Sequence, residues 1–229
     1  SPDIPLNVSR SYLQSDASVK KITNYITRKV ADKLNSIFKN ERENLESKWN
    51  DIKVVIEYGM LTEDKFYDKA ESFNLYPTVD DKYFTYEELE KKIKKLQTDK
   101  DGNLIILYAQ NKDEQYTYIE SAKEKGYEVL LLDSPIIPHL MQKLESKKEK
   151  IKFSRVDSDT LENLIKKDEE VISKLTDEEK EKLKPMIETA VENEKYTVQL
   201  EALDSNNMPF MLAQPEFMRR MKEMQQTGG

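Results

Sequence analysis

Few side chains in this sequence have the type and spacing to do chemistry, and two stretches hold most of them. The first is PLNVSRSYLQ, residues 5–14, which sets Asn7, Arg10 and Gln14 around the start of a helix. Pro5 and the Leu6/Val8 alternation read as extended chain, Ser9 as a helix cap, and Tyr12 and Leu13 as the first helical apolar positions. Arg10 then falls in the first turn, where the helix dipole already carries partial positive charge and suits anions better than cations. Two partners are open to it: a local carboxylate such as Asp16, which spacing alone favours, or a phosphate brought by another domain and met by the bidentate guanidinium.

The second stretch is a methionine cluster near the end of the chain: Met208, Met211, Met218, Met221 and Met224, with Phe210 and Phe217. Phe217, Met221 and Met224 share one face of a helix, flanked by Arg219, Arg220 and Lys222. The ordinary reading is a helix packed on the core of its own domain. Flexible thioethers are, however, over-used on surfaces that bind many partners. Each such side chain buried on a partner contributes at most roughly 1.5–3 kcal/mol before ordering costs, so the binding would be weak and undemanding of sequence.

Most enzyme signatures are missing. There is no P-loop, GxGxxG or GxSxG, and no cluster with metal-ligand spacing. His139 is the sole histidine and reads as an ordinary surface or half-buried side chain. Cysteine is absent, which excludes disulfides, thiolate chemistry and thiolate metal sites. By itself this chain does not read as an enzyme.

The composition sets the class. The 229 residues are 37% hydrophobic and 35% charged with a net charge of −7, which predicts a folded, soluble protein rather than a disordered one. The acidic balance excludes a dedicated nucleic-acid binder, because phosphate contacts need a basic surface. No apolar run is long enough to span a membrane and no signal peptide is expected, so a cytoplasmic location follows.

The elements that must position these residues follow from the apolar spacing. Val19, Ile22, Ile26, Val30, Leu34 and Ile37 predict one long helix to about Asn40. Leu45, Trp49, Ile52, Val55 and Ile56 predict a second, broken near Gly59, and EDKFYDKAESFNLY a third. TYEE is a capping box, Thr85 with Glu88, opening a helix that carries Leu89, Ile93 and Leu96. NLIILYA, YEVLLLD and KIKFSRV read as three strands. Between them lie a helix closed by Gly126 and a helix capped by Ser134 with Pro135 in its first turn. Strand, helix, strand, helix, strand implies a small parallel sheet. TDEE is a second capping box, leading a helix with Leu183, Ile187 and Val191. YTVQLEAL and MPFMLA predict a β-hairpin about the turn DSNN, and PEFMRRMKEMQQ a final helix. The fold class is thus mixed α+β and α/β: a three-helix layer, a parallel βαβαβ sheet with helices, then a smaller α+β unit.

DIPLNVSRSYLQ, residues 3–14, closely resembles the catalytic-loop segment of the ninety-kilodalton heat-shock (Hsp90) chaperones, with Ser11 in place of their usual glutamate. FTYEELEKKIKKLQTDKDGNLIILYAQNKDE, AKEKGYEVLLLDSPI and EFMRRMKEMQQ are similar to later segments of that family, in the same order, and the bacterial type is the nearest. The resemblance implies a fragment of an ATP-dependent chaperone that forms a homodimer and binds non-native client proteins. Residues 1–156 would be the rear of a middle domain, comprising the catalytic loop 3–14, a helical layer 15–76 and an α/β sandwich 82–156. A helical linker 157–175 and a truncated C-terminal domain 176–229 would follow. Arg10 falls on the family's arginine that contacts the ATP γ-phosphate, with Gln14 and Asn7 its companions in the loop. ATP and Mg would be held by the N-terminal nucleotide domain of the longer protein and neither by this fragment, which would not hydrolyse ATP alone. Phe217, Met218, Met221 and Met224 match the client-binding helix, while His139 stands where some bacterial relatives place a tryptophan. Neither nucleic acid nor membrane is expected as a partner. The competing reading is a helical adaptor that docks one defined partner through its methionine-rich helix.

Overall fold

The computed structural model describes residues 17–167, 175–191, 196–201 and 210–227, with side chains from residue 21 onward. The long predicted helix is α1, Ala17–Asn40, followed by α2 (Arg42–Ser47), α3 (Trp49–Thr62) and α4 (Asp64–Ala70). Leu34, Ile37 and Phe38 of α1 pack on the main core, whereas Ile26 and Val30 stand 54% and 44% exposed, so only the rear of the predicted stripe is covered among the described residues.

The predicted break at Gly59 is not there. The break falls earlier, at Lys48, and Gly59 lies inside α3. A β-carbon at Gly59 would come within 2.9 Å of the Phe66 ring, so the glycine serves the close approach of α4 rather than a turn. Phe66 in turn meets Phe73 edge-on, with centroids 6.3 Å apart.

A short hairpin, β1 (Tyr76–Pro77) with β2 (Tyr83–Phe84), leads into α5, Tyr86–Gln97. The Thr85/Glu88 capping box closes at both ends, and Arg42 grips both Glu88 carboxylate oxygens at 2.6 and 2.7 Å. The helix start is thereby tied to the helical layer.

The three predicted strands form β3 (Leu104–Ala109), β4 (Val129–Leu131) and β5 (Ile151–Arg155), parallel and ordered β4-β3-β5. The crossovers are α6 (Tyr116–Glu124) and α7 (Ile137–Lys147). Every β3 residue is buried, and alternation divides them. Leu104, Ile106 and Tyr108 enter the larger core with α5, α7 and the helical layer; Ile105, Leu107 and Ala109 enter a smaller one with α6. Gly126, at φ +76, ends α6, with Tyr127 N–H donating to the Ala122 carbonyl at 3.0 Å.

Ser134 does not cap α7. The helix begins at Ile137 with Pro138 in its first turn, and Ser134 is buried beneath the turn before it. Past β5, the short helix α8 (Leu161–Leu164) puts Leu161 and Ile165 into the smaller core. The second capping box, Thr176/Glu179, opens α9, Asp177–Ala190, none of whose residues is buried. Residues 196–201 and 210–215 are not strands, so the described parts of the expected hairpin are unpaired, and its turn lies outside the described residues. A half-buried strand needs a sheet face beside it, and Tyr196, Phe210 and Leu212 have none: they stand 46%, 75% and 69% exposed. The final helix is α10, Glu216–Thr227. Among the described residues no helix is long and apolar enough to cross a membrane.

Candidate functional site

Helix α10 has a periodic arrangement of charged and apolar positions, and it docks in the opposite sense to an ordinary amphipathic helix. Its charged face lies against the rest of the protein, and its one buried residue is Arg219, at 3% exposure. Arg219 donates from Nη2 to the Tyr108 hydroxyl and to Glu216 Oε2 at 2.6 Å, and from Nη1 to Glu223 Oε1 at 2.7 Å. The Tyr108 hydroxyl, at the end of β3, donates in turn to Glu216 Oε1 at 2.7 Å. The Arg155 backbone N–H, at the end of β5, donates to Glu216 Oε2 at 3.0 Å. Gln110 bridges the Arg155 side chain at 2.8 Å and Glu223 at 3.3 Å.

Arg220 makes a second anchor. Its two terminal nitrogens hold Glu145 of α7 at 2.8 and 3.1 Å, and Nη2 also donates to the Phe153 carbonyl at 2.8 Å. Glu145 completes the contact by accepting from Phe153 N–H at 2.7 Å. Burial works against ionisation of Glu216, but the Arg219 charge and the Arg155 N–H outweigh it and hold the carboxyl below its ordinary value. Burial likewise pushes the Tyr108 phenol up, assisted by the Glu216 charge, so the hydroxyl stays protonated and able to donate.

This anchoring turns the other face outward. Phe217, Met218 and Met221 stand 74%, 61% and 44% exposed, and Met224 is half-buried. Phe210 and Leu212, on the approach to α10, are exposed as well. His139 of α7 lies at the far end, with Nε2 3.0 Å from the Thr227 hydroxyl. Chemically, the surface offers flexible thioethers and an aromatic ring that no apolar side chain covers among the described residues. It can hold an apolar chain, but it brings no nucleophile or acid–base pair to bear on one.

Arg10, Gln14 and Asn7 lie outside the described residues, as do Met208 and the turn DSNN. Among the described residues no group of histidine and carboxylate side chains could hold a metal ion. The parts of the site that sequence reasoning missed are Tyr108, Arg155 and Glu145. One signal was available: a tyrosine in the otherwise aliphatic run NLIILYA needs a partner for its hydroxyl once buried.

One further ionisable group is buried apart from this site. Glu57 of α3 is 6% exposed, and its Oε2 has no hydrogen-bond partner among the described residues. Burial raises its carboxyl to about 7; the nearby Ser134 hydroxyl and Lys53 oppose the shift, and Asp133 adds to it.

Comparison with known proteins places these features in a family. Residues 1–226 match the model of the family described as Hsp90 protein. The chain is 52% identical over 227 residues to the chaperone protein HtpG of Bacteroides thetaiotaomicron, covering 98% of this chain and 33% of that protein. It is 48% identical to the HtpG of Porphyromonas gingivalis over 99% of this chain and 34% of that protein. A solved structure, the middle domain of a Plasmodium falciparum heat shock protein, aligns with 62% of this chain and 58% of its own at a TM-score of 0.48 and 15% identity. The chain thus spans about a third of the length of these curated relatives. With a family match over nearly every residue and relatives about half identical, the chain belongs to the Hsp90 family, among the HtpG-type chaperones.

Proposed function

We propose that this chain is the part of an ATP-dependent chaperone that holds non-native client protein and supplies a phosphate-sensing loop to a neighbouring nucleotide domain. The observation that carries the reading is the orientation of α10: its ions face the fold, and Phe217, Met218 and Met221 face water. Met224 forms the half-buried border of the same patch. A methionine-rich face left exposed among the described residues suits clients that share only their apolar character.

For the loop, support comes from the segment DIPLNVSRSYLQ and from membership of the family. Arg10 would set its guanidinium against the γ-phosphate of ATP, with Gln14 and Asn7 beside it, and stabilise charge as the phosphoryl group transfers. This donor set, a guanidinium and two carboxamides, suits phosphate oxygens and contains no carboxylate for Mg. As membership of the family implies, Mg and the rest of the nucleotide would be held by the N-terminal nucleotide domain of the longer protein, which is also proposed to act as a cytoplasmic homodimer. The reading is tested by aggregation suppression. The chain should slow aggregation of a chemically unfolded protein, and the double substitution Phe217→Ser/Met221→Ser should remove most of that effect. Equal suppression by both forms would count against the client face.

A further inference from the structure

The contact that holds α10 is built almost wholly of ions and hydrogen bonds. Its one buried residue is an arginine, and its large apolar side chains point away from the fold or lie at the edge. Opposite it stand the polar ends of three elements: Tyr108 and Gln110 at the end of β3, Arg155 and Asp157 at the end of β5, and Glu145 of α7. Burying charged groups carries a desolvation cost that roughly offsets their mutual attraction, so such a contact fixes geometry without adding much net stability. Opening it would return charges to water, and α10 would withdraw no fully buried apolar side chain of its own, in contrast to prying a helix from a hydrophobic core. Arg219 Nε, buried with no partner among the described residues, adds to the cost of the closed state.

We propose that α10 is a latched arm: the Arg219–Tyr108–Glu216 and Arg220–Glu145 contacts hold it against the end of the sheet, and it swings away as a unit while the sheet and helical layer stay folded. Arg219 and Arg220 are the positioning residues of the latch. When closed, the latch aims the apolar face outward at one fixed angle; when open, that face and the charged face are both free to turn toward a bound chain. The latch stands independently of client binding. An arm that swings and holds no client would leave it intact, and client capture by an arm that never moves would overturn it.

The chain has no cysteine, so Gln142→Cys on α7 and Lys222→Cys on α10, both exposed, can carry a pair of spin labels. Electron–electron distance measurements are made at low salt and in about 1 M NaCl, where the charges that reach water on opening are screened within roughly 3 Å. The expected result is one short, narrow distance population at low salt. A longer population should gain several-fold in share at high salt, and should dominate at low salt in Arg219→Gln. Emission from Trp49, the single tryptophan and 1% exposed, reports whether the helical layer stays folded. Should Arg219→Gln shift that emission, Glu145→Gln, which removes only the carboxylate facing Arg220, reads the latch in its place. Distances unmoved by salt and by both substitutions would overturn the proposal. So would loss of the Trp49 signal in both variants, since α10 would then be part of the fold rather than an arm on it.

Discussion

Arg219 of α10 donates a hydrogen bond to the hydroxyl of Tyr108 at the end of β3, and its guanidinium lies 5.6 Å from the centroid of the same ring. The tyrosine hydroxyl also donates to Glu216, so a single buried oxygen joins the helix to the sheet through both signs of charge. Tyr108→Phe removes that oxygen and little else. Loss of one partner from a buried charge costs about 1–3 kcal/mol, so amide exchange across Glu216–Thr227 should quicken by roughly tenfold or more. Exchange within β3 should change far less. Hydrogen-exchange mass spectrometry reads both at once, and unchanged exchange in α10 would contradict the role given to the hydroxyl.

Glu57 makes stability depend on pH in the direction opposite to an ion-paired carboxylate. Its folded carboxyl titrates at about 7 against an ordinary 4.5, so the unfolded chain releases the proton first. Stability contributed at this site is therefore intact below about pH 4.5, falls as pH climbs toward 7, and levels off above. Glu57→Gln should raise stability at pH 8 by up to roughly 3 kcal/mol and have little effect below pH 4. Urea unfolding at the two pH values checks this, and a larger gain at the acidic value would reverse the account.

Gly59→Ala should destabilise despite improving helix propensity. Alanine is favoured by about 1 kcal/mol in a helix interior, but its methyl would sit 2.9 Å from the Phe66 ring. That ring is 5% exposed and wedged against Phe73, so it has little room to yield. A net loss of about 1–2 kcal/mol is expected in thermal unfolding. The larger-to-smaller companion Phe66→Leu should relieve part of it.

In the longer protein, the role proposed for Arg10 predicts that Arg10→Ala cuts ATP turnover by roughly 10²-fold while nucleotide affinity changes little, since on that proposal the arginine would act on charge developing at the transferring phosphate. Steady-state turnover with a separate binding titration makes the distinction. Equal loss of affinity and turnover would place Arg10 in ground-state binding instead.

Local signals carried much of this fold in plain sight. The two capping boxes, the glycine that ends α6 and the apolar runs of β3 and β4 depend on residues within a turn or a strand of one another, and they stand where the spacing put them. The misplacements have long-range causes. Gly59 resembles a helix stop until the Phe66 ring is seen to need its space, and Ser134 resembles a cap until Pro138 is seen to start the helix. The anchoring of α10 was hidden most completely. Glu216, Arg219, Arg220 and Glu223 have the i, i+3 and i, i+4 spacing of a solvated helix face. Only the ends of β3 and β5 and Glu145 of α7, all more than sixty residues earlier in the chain, turn those charges inward and leave the methionines in water.

The most direct test of the central claim is the affinity of this chain for a fluorescently labelled, permanently unfolded protein, measured by anisotropy at low salt. The face of α10 predicts weak binding that falls at least about tenfold in Phe217→Ser/Met221→Ser, from the apolar area those side chains contribute. Val55→Ser, which removes an apolar side chain 73% exposed on α3, should leave the affinity unchanged. Equal affinity with and without the α10 substitutions, or an equal loss from Val55→Ser, would contradict the assignment of client binding to this helix.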